Sequence, residues 1–195
     1  MDMQVPSMFT DEDIHIAMNV FANKEVLVSI LSTYDPSFIT VPIVLGQFKE
    51  LIASFPEYAL VFFDDSEVLY VNSRHYPDLS RQYALTALDP FRLHTHGVTR
   101  FLTVDNRELL MSEGRRLLEV YPEGLLANKL AAIIYNDEGA YDRALPHAET
   151  IIRTFPDRAT GYALKGDSLQ GLKFFTEALG CYRMALRRTL PEERR

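Results

Sequence analysis

Two histidines with one residue between them give the sequence its clearest metal-ligand spacing. His94 and His96 form a His-x-His pair, which can place two imidazoles on one metal ion when the backbone is extended. No His-x-x-x-His or Cys-x-x-Cys pair accompanies it. We therefore keep His94 and His96 as weak metal candidates and predict no cofactor.

An acidic cluster is the second group that could hold a cation. Asp64, Asp65 and Glu67 lie within four positions of the chain, and carboxylate oxygens are the ligands that hard cations prefer. The same residues stand between two apolar runs, where adjacent carboxylates commonly form a turn. Turn formation is the simpler interpretation.

No local motif for nucleophilic catalysis or phosphate binding is present. The chain has no Gly-x-Ser-x-Gly, no Gly-x-Gly-x-x-Gly and no P-loop, the patterns that place a nucleophile or a phosphate at the end of a strand. A triad assembled from distant residues stays open, because such triads leave no local pattern. The sequence therefore favours no enzymatic activity for this chain alone.

Charge is divided unevenly along the chain. The net charge is −7, with 4 Lys/Arg against 13 Asp/Glu in residues 1–90 and 16 against 14 in residues 91–195. Nucleic-acid binding needs clustered cations, so we expect no nucleic-acid partner. The single cysteine, Cys181, excludes an internal disulfide and is interpreted as a small buried thiol.

Neither a membrane span nor a secretory signal is predicted. The longest uncharged apolar stretch, residues 36–48, contains two prolines and is shorter than the roughly 18–20 residues that a bilayer requires. The first 21 residues include four acidic residues and no basic segment before an apolar run. We expect no membrane span in this chain.

Several residues of the second half recur at one fixed spacing. The interval from Ala144 to Ala178 is the same as the interval from Pro122 to Pro156. It equals the period of the tetratricopeptide repeat, a helix-turn-helix unit, and residues 125–190 resemble two such repeats. The resemblance rests further on small residues at helix contacts and on tyrosines that fill the gaps between helices: Ala132, Gly166, Tyr135, Tyr162 and Tyr182.

The resemblance also implies a concave groove lined by the first helix of each repeat. Lys129 matches the lysine with which family members hold a peptide carboxylate, but Ile133 stands where that clamp needs asparagine. Asn128 and Lys165 also differ from the large aromatic and the apolar residue usual in the family. An extended or helical peptide is the expected ligand. The groove candidates are Leu126, Lys129, Ile133, Asn136, Asp137, Thr160, Ala163, Asp167 and Gln170.

The hydrophobic pattern predicts an α+β fold in two parts. Residues 10–90 have the order helix, strand, helix, strand, strand, typical of a small α/β layer of three short strands with helices, whose first strand should lie parallel to the hairpin that follows. Residues 91–104 have no clear period and are interpreted as a linker or docking loop. Residues 105–195 are predicted to form tetratricopeptide-like helical repeats, with helices near 105–121, 125–137, 141–154, 159–171 and 174–188.

A second resemblance covers residues 24–90. The runs Tyr58–Asp65 and Glu67–Val71 are similar to a segment in soluble C-terminal portions of bacterial polytopic membrane proteins related to glycosyltransferases. This resemblance implies a soluble domain of a membrane-linked system.

The last helical hairpin has more apolar residues than one inward stripe can hold. We expect part of it to contact a second copy of the chain or the missing continuation of a longer parent protein, through candidates that include Phe174, Leu179, Arg183 and Arg187. The leading hypothesis for function is a scaffold that binds a protein or peptide. The alternative is an accessory domain of a glycosyltransferase-like enzyme, with a small ligand at the carboxyl ends of the strands of the α/β layer.

Overall fold

The structure is a computed structural model that describes Ile16, residues 19–96 and residues 106–189. The fold is α+β, with a small three-stranded antiparallel sheet followed by a stack of helices. The chain divides into two compact units. The first is drawn from Met1–Val61 and Glu67–Ala84, and the second from Phe62–Ser66 and Leu85–Arg195.

The sheet and its helices precede the helical stack in the chain. Thr10, the predicted start of the first helix, lies outside the described residues. The elements up to residue 96 are α1 (Lys24–Tyr34), β1 (Phe38–Pro42), α2 (Phe48–Ile52), β2 (Tyr58–Phe63), β3 (Glu67–Asn72), α3 (Pro77–Tyr83) and α4 (Pro90–His96). The stack consists of α5 (Arg107–Val120), α6 (Leu125–Asp137), α7 (Tyr141–Thr154), α8 (Ala159–Gly171) and α9 (Phe175–Arg188).

The sheet has the strand order β1, β3, β2. β1 pairs antiparallel with β3, with Phe38 opposite Val71 and Pro42 opposite Glu67. β1 and β2 run in the same direction, as the helical crossover predicts, and β3 lies between them, so neighbouring strands of the sheet are antiparallel. The rule that places ligands at the carboxyl ends of parallel strands therefore has no basis in this sheet.

The core of the first unit is built around Phe48. This side chain is fully buried and meets Phe21 and Tyr70 edge to face, with ring centroids 5.5 and 5.8 Å apart. β-branched residues of the sheet fill the remaining space, because their stiff side chains pack well on a pleated surface. Val41, Val68 and Val71 are each at most 1% exposed.

The predicted linker over residues 91–104 differs from the structure in its first part. Residues 90–96 form α4, which starts at Pro90, and the Asp89 carboxylate accepts a hydrogen bond from the Arg92 N–H at 3.2 Å. Asp before Pro is an ordinary helix start, although seven residues are too few to show a helical period. Phe91 and Leu93 are buried, and the rest of the predicted linker, residues 97–104, lies outside the described residues.

The stack repeats its helices with the period that the sequence predicts. α5, α7 and α9 begin at residues 107, 141 and 175, and α6 and α8 begin at 125 and 159. Consecutive helices pack against each other from α5 to α9. The stack is therefore a helical repeat in which α6–α7 and α8–α9 are equivalent hairpins and α5 has the phase of α7 and α9.

The turns inside the two hairpins are also equivalent. The Ala140 N–H donates to the Tyr135 carbonyl at 2.8 Å, and one repeat period later the Phe174 N–H donates to the Leu169 carbonyl at 2.9 Å. Both turns need one residue in the left-handed region. Glycine fills this position in the first turn, with Gly139 at φ 75°, but a lysine fills it in the second, with Lys173 at φ 68°.

Small residues set the distance between neighbouring helices. A β-carbon on Gly161 would lie 2.9 Å from the Ile152 side chain, and one on Gly166 would overlap the Tyr182 ring. Ala132 and Ala148 are fully buried in one cluster with Ile151. Since protein interiors are close-packed, these positions fix where each helix lies on its neighbour.

No helix of the described residues is long and apolar enough to cross a membrane.

The left-handed turn residue of the second hairpin gives a stability prediction. A non-glycine side chain at positive φ costs about 1–2 kcal/mol, part of which glycine recovers despite its larger unfolded-state entropy. We expect Lys173→Gly to raise the free energy of unfolding by about 0.5–1 kcal/mol, measured by urea denaturation. The matched variant Gly139→Lys should lower it; a destabilised Lys173→Gly chain would contradict this explanation.

Candidate functional site

The groove candidates lie on α6 and α8, which are joined by a polar contact. The Asn136 side chain donates to the Leu164 carbonyl at 3.3 Å and accepts from the Ser168 hydroxyl at 2.8 Å. Ser168 is fully buried and Asn136 is half-buried. Asn136 therefore holds the two helices side by side, and its amide is already engaged in the fold.

Leu126, predicted as part of the groove floor, is buried at the start of α6. It is only 5% exposed, because it lies in the first turn of α6 beneath the residues of the hairpin turn. Asp65 accepts hydrogen bonds from the N–H groups of Leu125 and Leu126 at 2.8 and 2.9 Å. A carboxylate at this position satisfies the open N–H groups of a helix start, so Asp65 is a helix cap as well as a turn residue.

Lys129 and Ile133 follow on the same helix and are both half-buried. Ile133 packs on the core cluster of the first hairpin and still exposes part of its side chain. Burial lowers the pKa of the Lys129 ammonium group below its ordinary value, since desolvation disfavours the charged form. Among the described residues no hydrogen bond or ion pair of Lys129 is found. Lys129 is thus a half-buried cation on the same helix as the partly exposed Ile133.

The far end of the groove is acidic and more exposed. Asp137 forms an ion pair with Arg107. The Tyr182 hydroxyl lies 2.8 Å from both the Asp167 carboxylate and the Gln170 amide oxygen, and can donate to one of them at a time. Burial, and secondarily the bond to Asp167, raises the pKa of Tyr182 to about 12. Thr160 and Ala163 are half-buried between the two ends of the groove.

Asn128 belongs to a polar cluster between α6 and α7. It is 2% exposed, and its amide N–H groups donate to the carbonyls of Pro122 and Gly124, both at 2.8 Å. Its amide oxygen therefore faces His147, whose Nδ1 is 2.9 Å away and must carry the proton. The His147 ring stacks on Tyr135 with centroids 5.7 Å apart. The cluster occupies the place where the sequence resemblance leads one to expect a large aromatic side chain.

Glu113 is a buried carboxylate that sequence analysis does not single out. It lies on α5, is 1% exposed, and accepts hydrogen bonds from the N–H groups of Thr86, Ala87 and Leu88 at 2.7, 3.1 and 2.8 Å. The Thr86 hydroxyl adds a fourth donor at 3.0 Å. These bonds fix the segment before α4, whose N–H groups would otherwise be buried without acceptors.

A chain of hydrogen bonds in the first unit joins an aspartate, a histidine and a serine. The Ser37 hydroxyl lies 2.9 Å from His75 Nδ1, and His75 Nε2 lies 2.9 Å from the Asp35 carboxylate. Asn72, which is fully buried, donates to the other oxygen of Asp35 at 3.1 Å. No local motif marks these residues, because they come from positions up to 40 residues apart.

The ring pair beside this chain is exposed. Phe38 and Tyr76 are the residues that follow Ser37 and His75, and their ring centroids are 5.0 Å apart. They are 47% and 41% exposed. The three hydrogen-bonded side chains and the ring pair thus form one accessible surface with a polar and an apolar part.

The metal candidates His94 and His96 lie at the end of α4. His94 is exposed on α4, while the side chain of His96 lies outside the described residues. No group of three or more His, Cys, Asp or Glu side chains that could hold a metal ion is found in the described part of the chain. A depression beside Asp64 and Asp65, lined also by Tyr121 and Leu126, has an empty volume of only 190 Å³ including open solvent. Ligand pockets usually have about 300–1,000 Å³, so this depression is too small for a substrate.

The outer face of α9 exposes several apolar side chains. Phe174, Phe175, Leu179 and Leu186 are 53%, 64%, 49% and 68% exposed. Arg183 and Arg187 are exposed on the same helix, whereas Arg188 lies over the Tyr162 ring, 4.4 Å from its centroid. Cys181 is half-buried, and burial raises the pKa of its thiol, so it is poorly suited to act as a nucleophile.

Comparison with known proteins adds no relative: no family model, no curated protein and no solved structure matches the chain.

The polar cluster of Asn128 and His147 between α6 and α7 gives a prediction about pH-dependent stability. Burial, and secondarily the charge of Arg143, lowers the pKa of His147 below its ordinary 6.5. Its contribution to stability is present above pH 6.5 and is lost as the pH falls through the lower folded-state pKa. We expect the urea midpoint to fall more steeply between pH 7 and 5 in the wild type than in His147→Asn, whose amide can replace the Nδ1 donor. Equal slopes would show that His147 does not titrate in this way.

Proposed function

We propose that the chain is a binding scaffold of the tetratricopeptide-repeat type, and that the groove formed by α6 and α8 binds a peptide with an acidic and an apolar side chain. The observation that carries this proposal is Lys129, a half-buried cation whose pKa is lowered by desolvation. Burial removes water that stabilises the ammonium charge, and a ligand carboxylate would stabilise that charge instead.

The repeat geometry supports the same proposal. The period of the helix bounds is that of tetratricopeptide repeats, and in such hairpin stacks the first helices line the concave face. Lys129 supplies the cation, Ile133 and Ala163 the apolar surface, and Asp167 with Gln170 the polar end. Ile133 leaves no asparagine to grip a terminal carboxylate, which favours an acidic side chain of the peptide over its C terminus.

A displayed library of 12-residue peptides tests this function. We expect enriched peptides to share an acidic and an apolar residue at fixed spacing. Their affinity should fall about tenfold in Lys129→Gln, the size of a lost hydrogen bond to a charged group, and at least as far in Ala163→Glu, which places a carboxylate in the groove. Lys24→Gln, an exposed lysine on α1, is the matched control. Enriched peptides that bind all variants equally would contradict the groove assignment.

A second candidate function is ester hydrolysis. It is favoured by the hydrogen bonds that join Asp35, His75 and Ser37. A nucleophile, a base within hydrogen-bond reach and a group that orients the base are the arrangement of an activated serine. Ser37 Oγ would attack an ester carbonyl and give its proton to His75 Nδ1; the leaving alcohol takes that proton, and water then releases the acyl group. The exposed Phe38 and Tyr76 rings offer an apolar surface for the acyl chain.

Labelling with a fluorophosphonate, followed by mass spectrometry, tests this candidate. We expect modification at Ser37, and a p-nitrophenyl acetate hydrolysis rate that falls to the uncatalysed level in Ser37→Ala and in His75→Gln. Ser32→Ala, on the exposed side of α1, should react as the wild type does. Modification spread evenly over the exposed serines would exclude an activated Ser37.

A further inference from the structure

The exposed apolar residues of α9 form one stripe along the helix. Phe175, Leu179, Arg183 and Leu186 are separated by four, four and three positions, so they share one face of an α-helix. Their exposure leaves a surface that is apolar at both ends and carries Arg183 between them. The stripe lies beside the face of α9 that carries the buried Ala178, about a quarter of a helical turn away from it.

The repeat period identifies what covers the same stripe one hairpin earlier. Moving the stripe back by one period gives Tyr141, Leu145, Glu149 and Ile152 on α7. Tyr141, Leu145 and Ile152 are half-buried, whereas Phe175, Leu179 and Leu186 are exposed. Both α6 and α8 pack on α7, and α8 is the helix that contacts Tyr141 and Ile152 of this stripe.

The contact between α7 and α8 defines which kind of helix fits this stripe. Ile152 packs where α8 has Gly161, and Tyr141 packs where α8 has Gly171; a β-carbon on either glycine would overlap the facing residues. Between these contacts, Lys165 forms an ion pair with Glu149 at 2.7 Å. The α7 stripe therefore accommodates a helix of a particular pattern. This helix has a glycine, a charged residue four positions later and a second glycine six positions after the charge.

The charge on the α9 stripe is reversed. Arg183 stands where α7 has Glu149, so a helix that covers α9 as α8 covers α7 needs an acidic residue in place of Lys165. From this equivalence we infer that the outer face of α9 binds an amphipathic helix of a partner protein with the pattern Gly-x-x-x-Asp/Glu-x-x-x-x-x-Gly. This surface is separate from the groove and does not depend on it.

A second copy of the chain fits this face less well. In an isologous contact the same stripe would meet itself, so Arg183 of both copies would approach the symmetry axis. Like charges that face each other are destabilising. The stripe also offers bulky residues at the two positions where α8 presents glycine. The predicted homodimer through the C-terminal hairpin is therefore the competing occupant, and the experiment separates the two.

A helical peptide with the sequence of residues 157–172 and Lys165→Glu is the probe. A side-chain cross-link on its solvent face holds the helix, and fluorescence anisotropy measures its binding to the full chain. We expect the wild type to bind this peptide about two- to fivefold more tightly than the peptide that keeps Lys165, the range of an exposed ion pair. Arg183→Glu should reverse this preference, because it restores the charge that α7 carries.

Variants of the apolar positions test the stripe itself. Leu179→Glu and Leu186→Glu should each weaken peptide binding at least tenfold, whereas Ser112→Glu, which adds the same charge at an exposed site on α5, should not. Far-UV circular dichroism checks that the variants stay folded. Failure of both peptides to bind, or equal binding to all variants, would overturn the inference. A concentration-dependent dimer in sedimentation that Leu179→Glu abolishes would assign the face to a second copy instead.

Discussion

The close approach of successive helices at small residues is the constraint on which the helical stack depends. Gly161 admits Ile152, Gly166 admits Tyr182, and Ala132 and Ala148 meet in one buried cluster. Each contact fixes the position of one helix on the helix before it. Because these positions recur at the period of the helices, the placement of α6 beside α8 follows from local packing repeated along the chain.

Buried polar side chains then join segments that packing alone would leave loose. Glu113 holds the backbone of residues 86–88, Asp65 caps α6, and Asn136 joins α6 to α8. Each of these groups is hydrogen-bonded to donors or acceptors that would be costly to bury without a partner. A substitution at such a site therefore affects a whole segment as well as one contact.

The α+β fold class and the repeat period could be predicted from the sequence. The burial of individual side chains and the contacts between distant residues could not. The resemblance to tetratricopeptide repeats groups Leu126 with Lys129 by their positions in the repeat. It does not tell that the turn containing Asp65 covers the start of α6 and buries Leu126. The chain formed by Asp35, His75 and Ser37 was equally invisible, because its three residues are brought together only by the sheet.

The two hairpins differ most at the positions that are packed between their helices. They differ least at the apolar positions of the outer stripe, which is covered on α7 and exposed on α9. At buried positions, Ala148 and Ile151 correspond to Tyr182 and Ala185, and the larger ring is accommodated by the notch at Gly166. On the outer stripe, Tyr141, Leu145 and Ile152 correspond to Phe175, Leu179 and Leu186, so each apolar residue is matched by one of similar size, while Glu149 is replaced by Arg183. Burial within the chain accounts for the apolar stripe on α7. It does not account for the stripe on α9, where side chains of similar size leave large apolar surface in contact with water.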